Sequence, residues 1–121
     1  MPLTPSAALG KRGESIAQHY LISKGYTILA KNYRHRKGEI DLVAQNGRQL
    51  IAVEVKSRTS LHYGVPEAAI SEQKIELISA TVGHFQETRK LQLEIRFDVI
   101  TIYFAEGSLP RLLHIRDAFH G

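Results

Sequence analysis

Residues Gly38 to Ser57 read GEIDLVAQNGRQLIAVEVKS, and their pairing decides the fold. Two apolar runs flank Asn46-Gly47, the strongest short hairpin signal in the chain. With Asn46 and Gly47 at the centre of a type I′ turn, Gln45 stands opposite Arg48, Val43 opposite Leu50, Asp41 opposite Ala52 and Glu39 opposite Glu54. Cross-strand partners share a face of the sheet, as do residues two apart on one strand. One face therefore carries Glu39, Asp41, Val43, Leu50, Ala52, Glu54 and Lys56. The other carries Ile40, Leu42, Ala44, Ile51, Val53 and Val55, all apolar. The first face is apolar beside the turn and charged at its far end. That pattern predicts a face covered over half its length, with the charges at the mouth of the cover.

In this register Asp41 and Glu54 are diagonal neighbours, with Cβ atoms about 6–8 Å apart, so both carboxylates reach one ion. Glu39 directly opposite Glu54 is destabilising unless a divalent cation, Lys56 or a proton offsets it. Oxygen ligands without sulfur favour Mg²⁺ or Mn²⁺. An ammonium at Lys56 beside such an ion orients a water and stabilises charge building on a phosphate. The same residues also read as a solvated ion pair of little energetic worth. A three-residue loop would flip one strand and part the carboxylates.

Outward from the hairpin, Ala8 to Lys24 has helical spacing in Ile16, Ala17, Tyr20 and Leu21, and Gly25 is placed to end the helix. Residues 1–7 read as a frayed start. Thr27–Asn32 is a short strand, and YRHRKG after it is a basic connector. From Arg58 onward, RTSLHYGVP reads as a loop. Pro66 to Arg89 reads as helix, with Ser71 as a cap and Ile75, Ile78, Val82 and Phe85 on one stripe. Leu93–Phe104 alternates as a long strand, with Arg96 and Asp98 paired on the face opposite Leu93, Ile95, Phe97 and Val99. RLLHIRDAF is a last short element, strand or helix. The order predicts one mixed α/β domain over residues 1–121, with a central sheet flanked by helices.

Composition narrows the class. The 121 residues hold no cysteine, which excludes thiol catalysis and cysteine-based zinc sites and fits a reducing compartment. No run approaches the roughly 20 apolar residues of a membrane span, and no leader pattern opens the chain. A cytoplasmic protein with no membrane partner is the expectation. Sixteen Lys and Arg against twelve Asp and Glu give a net charge of +4, compatible with a polyanionic partner. The six histidines show no ligand-pair spacing, and no Gly-rich phosphate loop occurs.

Asp41 on one strand and Glu54-x-Lys56 on its partner resemble the PD-(D/E)xK signature of restriction-endonuclease-like nucleases. The pieces GESIAQHYLISKGYTILAKNYR, GEIDLVA, VEVKSR, RFDVI and HIRDAF, in that order over most of the chain, resemble the YraN-type family, related to archaeal Holliday-junction resolvases. The resemblance implies a restriction-endonuclease-like core and Mg²⁺-dependent phosphodiester hydrolysis, structure-selective on branched DNA, with a homodimer as the working form. By position it makes Asp41 and Glu54 metal ligands, adds the Val55 carbonyl and Glu14, and makes Lys56 the water-positioning residue. Ile40 stands where the motif's name has proline, and no Gln-x-x-x-Tyr follows the motif.

Glu39 is an auxiliary acidic residue in this scheme. Lys31, Arg34, Arg36 and Lys37, interleaved with Tyr33 and His35, are expected to hold phosphates and stack a base, with Arg58 and Lys74 in similar roles. The competing expectation is a nucleic-acid-binding module that keeps these charges without turnover.

Overall fold

The computed structural model describes residues 4–59 and 70–120. Among these described residues, two helices and five strands follow in the order α1 (Pro5–Ser23), β1 (Thr27–His35), β2 (Gly38–Asn46), β3 (Gln49–Arg58), α2 (Glu72–Arg89), β4 (Glu94–Tyr103) and β5 (Arg111–Phe119). The strands form one sheet in the order β1-β2-β3-β4-β5. Among the described residues only the β3–β4 pairing is parallel, and it is the one connected through a helix, as parallel strands require. The expected mixed sheet flanked by helices is what forms.

Each helix covers one face. Gly13, Ala17 and Leu21 are the buried stripe of α1. Ala17 and Leu21 pack with Leu42, Ala44, Ile51, Val53, Ile100 and Ile102. Ile78, Val82 and Phe85 of α2 pack on the opposite face with Val43, Leu50, Ala52, Phe97 and Val99. The two hairpin faces inferred from alternation are therefore the two faces of the core, with one exception. Ile40 joins the α2 side rather than the side of Leu42. The β2–β3 ladder runs from Asn46–Gln49 to Leu42–Val53, so Ile40 lies past it and is paired on one side only, with Tyr33 of β1.

The hairpin register differs from expectation by two residues. Asn46 pairs with Gln49, which makes Gly47 and Arg48 the turn. Gly47 has φ +61° and Arg48 is outside the left-handed region. Glycine first and an ordinary residue second is the preference of a II′ turn. A shift of two preserves every face but changes neighbours. Asp41 and Glu54 each lie one residue past the ladder's last pair, Leu42–Val53, and Glu39 does not pair with Glu54.

Other boundaries move for local reasons. Thr4 caps α1 by accepting from the Ala7 N–H at 3.1 Å, and Pro5 suits the first turn. The helix thus starts at Pro5, inside the stretch expected to fray. Gly25, at φ +92°, does end it. Ser71 caps α2 as expected, its Oγ accepting from the Lys74 N–H at 3.2 Å. The expected helical residues 66–69, and most of the loop after Arg58, lie outside the described residues. β1 continues to His35, so most of the basic connector is strand. Tyr33 pairs with Ile40, and its ring meets Phe85 edge-on with centroids 5.1 Å apart. RLLHIRDAF forms strand β5.

A buried polar network fastens β5 and the end of α1 to the sheet. Asp98 is fully buried. It accepts from Arg96 Nε at 2.8 Å and Nη2 at 2.7 Å, and from the Asp117 N–H at 3.0 Å. His114 Nε2 lies 2.7 Å from Asp98 Oδ2, and its Nδ1 lies 3.0 Å from the Tyr20 hydroxyl. Arg96 also donates to Gln49 Oε1 and to the Tyr26 hydroxyl, both at 2.8 Å. The Arg96–Asp98 ion pair expected from their spacing is the centre of this network. Among the described residues, no helix is long and apolar enough to cross a membrane.

Candidate active site

A cleft of about 380 Å³ opens between the charged end of β2–β3 and the first turns of α2. Its lining includes Lys37, Glu39, Asp41, Glu54, Gln73 and Lys74, with Leu77 and Ile78 as its apolar part. This is the mouth inferred from the hairpin pattern. Helix α2 covers Val43, Leu50 and Ala52 and stops short of the carboxylates.

Two glycines permit the close packing here. Gly38 opens β2 against α2, where a Cβ would collide with Thr81 Oγ1 and lie 2.8 Å from the Leu77 carbonyl oxygen. Gly13 lets α1 approach β3, where a Cβ would collide with Ser57 Oγ. Ser57 Oγ in turn donates to the Leu9 carbonyl at 3.3 Å. The residue after Gly13 is Glu14, which this packing brings within electrostatic reach of Asp41.

Asp41 is partly buried, and its Oδ2 accepts from the Val55 N–H at 2.8 Å. Burial, then the negative charge of Glu54, push its pKa up to about 7, and Glu14 and Glu39 add to this against the Val55 hydrogen bond. Glu54 is only 14% exposed and receives Lys74 Nζ on Oε1 at 2.8 Å. Glu39 takes Arg34 Nε at 3.5 Å, a pair in which both side chains are well exposed. The two flanking carboxylates thus have cationic neighbours, while Asp41 has a backbone amide.

The expected site residues divide into those the fold gathers and those it does not. Asp41, Glu54, Glu39, Lys37 and Lys74 share the cleft. Lys56 follows Glu54 on β3, half-buried and in register with Thr101, and is not among the described residues lining the cleft. Val55, expected to offer its carbonyl, is tied to Asp41 through its N–H. Lys31, exposed on β1, is in register with Leu42. Arg36 stands at φ +55° in the exposed β1–β2 turn. Arg58 ends β3 and donates from Nη1 to the Ser57 carbonyl at 3.1 Å. Tyr33 and His35 are engaged with α2 rather than set out for a base. The Tyr33 hydroxyl lies 2.6 Å from His84 Nδ1, and the His35 ring stacks on His84 at 3.6 Å.

The donor set is oxygen throughout, which suits a hard divalent cation. Asp41 is surrounded by three acidic groups, and a cation would supply the positive charge that offsets them. Among the described residues, however, no three His, Asp or Glu side chains already converge as a metal-holding group. Sequence reasoning understated Lys74. A Ser71 cap puts residue 74 in the first turn of α2, and that was the available signal; its salt bridge to Glu54 depends on how α2 crosses the sheet.

Comparison with known proteins gives a family match. The model for "Uncharacterised protein family UPF0102" matches residues 13–102. A UPF0102 protein of Geobacter metallireducens is 46% identical over 113 residues, covering 93% of this chain and 92% of the relative. One from Christiangramia forsetii is 40% identical over 111 residues, covering 92% of each. Among solved structures, the chain is similar to Archaeoglobus fulgidus Hjc, a Holliday junction resolvase from an archaeal hyperthermophile. The TM-score is 0.45 and the identity 20%, over 86% of this chain and 75% of that one.

Proposed function

This chain belongs to the UPF0102 family, the YraN-type group its motifs resemble, and we propose that it is a divalent-metal-dependent DNA endonuclease of the restriction-endonuclease-like class, selective for branched DNA. The observation that carries this reading is Asp41. It is a partly buried carboxylate that shares a cleft with Glu54 just past the end of the β2–β3 ladder, raised in pKa by burial and like charge. Perturbed carboxylates in clefts concentrate at functional sites.

Asp41 and Glu54 would hold Mg²⁺ or Mn²⁺, with Glu14 and the Val55 carbonyl as further oxygen donors. The ion would supply Lewis-acid stabilisation of the charge that develops on the phosphate. Hydrolysis adds a water oxygen to phosphorus and breaks a bridging P–O bond. Lys56 positions that water, and Glu39 adds negative charge at the mouth. The Val55 N–H holds Oδ2 of the Asp41 carboxylate, and Asp41 lines the cleft. Lys37, Arg34 and Arg36 of the β1–β2 hairpin, with Lys31, Arg58 and Lys74, hold backbone phosphates and contribute little sequence reading. A homodimer would present two such clefts to a branched substrate.

One observation favours a second reading, a nucleic-acid-binding module without turnover. Lys74 already neutralises Glu54. The deciding experiment is cleavage of labelled duplex, single-stranded, flapped and four-way-junction DNA with Mg²⁺ or Mn²⁺, alongside Asp41→Ala and Lys56→Ala. Cleavage by the wild type that falls at least ~100-fold in both variants is expected. Salt-sensitive binding with no cleavage by the wild type selects the second reading.

A further inference from the structure

One carboxylate in the cleft has two claimants. Glu54 is largely buried, and its Oε1 is taken by Lys74 Nζ at 2.8 Å. The Lys74 side chain is 47% exposed, and its backbone is fixed by the Ser71 cap. Glu54 is therefore held in the cleft, whereas the ammonium can swing outward on its four-carbon stem. Arg34 holds Glu39 in the same cleft by a longer, more exposed contact, so of these two cations Lys74 is the one set against an inner carboxylate.

Resting on the nuclease reading above, we propose that Lys74 is a competitor for the metal position and couples metal binding to DNA binding. In the free protein the ammonium neutralises Glu54 and opposes entry of a second cation beside Asp41. A DNA phosphate entering the cleft offers Lys74 another anion. Drawing the ammonium away frees Glu54, so DNA strengthens metal binding, and by linkage metal strengthens DNA binding by the same factor. Lys74 is a positioning residue in this scheme, acting through Glu54.

The test needs no turnover. Mn²⁺ binding to the free protein is titrated by the electron paramagnetic resonance of unbound ion, for wild type, Lys74→Gln, Lys74→Arg and Asp41→Asn. Binding of a labelled DNA duplex is followed by anisotropy with Ca²⁺ or with chelator. Without DNA, Lys74→Gln is expected to bind Mn²⁺ about five- to tenfold more tightly than wild type, within the usual range of coupling between sites. Lys74→Arg, which keeps the charge, should stay near wild type. The gain in DNA affinity from Ca²⁺ should be present in wild type and reduced by the same factor in Lys74→Gln. Mn²⁺ affinity that Lys74→Gln leaves unchanged or weakens overturns the competition, even if Asp41→Asn abolishes binding and the metal site stands. Mn²⁺ binding that Asp41→Asn does not alter, or that no variant shows, overturns the nuclease reading as well.

Discussion

Two aspartates in the sheet, Asp98 on β4 and Asp41 on β2, are treated in opposite ways. Asp98 is fully buried, and desolvation alone would raise its pKa. Its bonds with His114, Arg96 and the Asp117 amide outweigh that and hold it below the ordinary value. Asp41 is less deeply placed and receives one backbone donor. Burial and the charges of Glu54, Glu14 and Glu39 raise it to about 7. The fold completes the shell of one carboxylate and surrounds the other with like charge, and on the proposed reading the first is structural and the second a ligand. The first stabilises the native state by itself. The second is where the proposed cation would sit.

The largest stability effect should come from breaking the completed shell. Asp98→Ala leaves Arg96 without its buried charge partner and should cost about 3–5 kcal/mol. For a domain this size, that lowers the melting temperature on the order of 15 °C. Thermal melting followed by circular dichroism checks it.

Asp41→Asn should act in the opposite direction. The folded protein holds the Asp41 proton more tightly than the unfolded chain does. Wild-type stability from this group is therefore full below about pH 4 and is lost as pH rises through about 7. Asp98 has the reverse sign, its contribution being present above the ordinary carboxylate range and lost in acid. Without metal, the Asp41→Asn variant should gain roughly 2–4 kcal/mol on the wild type at about pH 8 relative to about pH 4. Denaturant unfolding at the two pH values reads the difference, and a gap that stays constant breaks the contrast.

Gly38→Ala probes the wall of the cleft. The new Cβ meets the Leu77 carbonyl, a backbone atom that cannot rotate away, so a loss of about 1–3 kcal/mol is expected by calorimetry. Gly13→Ala meets a serine side chain instead and should cost less. Smallest of all, Arg34→Ala removes an exposed pair with Glu39 and should change stability by less than about 1 kcal/mol, less still in high salt.

The parts of this picture legible in the sequence are those set by short periods. Alternation assigned all but Ile40 of the hairpin's apolar residues that pack in the core to the correct face, and it placed Asp41 and Glu54 together. It survived a two-residue register error because such a shift preserves faces. The turn chemistry was less determinate, since Gly47 serves either a I′ or a II′ turn. The polar shell of Asp98 was legible only in its Arg96 contact, two residues away. Its other members come from α1, the α1–β1 turn, β3 and β5, and Tyr20 and His114 are 94 residues apart. Likewise Lys74 could be placed in a first helical turn but not against Glu54, because 20 residues and the crossing of α2 separate them.

The most direct test of the incomplete Asp41 shell is thermal unfolding near pH 8 with and without millimolar Mn²⁺, for wild type and Asp41→Asn. The expected result is a rise of several degrees in wild type on adding Mn²⁺, and none in Asp41→Asn. Equal shifts in both proteins, or none in either, would contradict a cation site built on Asp41.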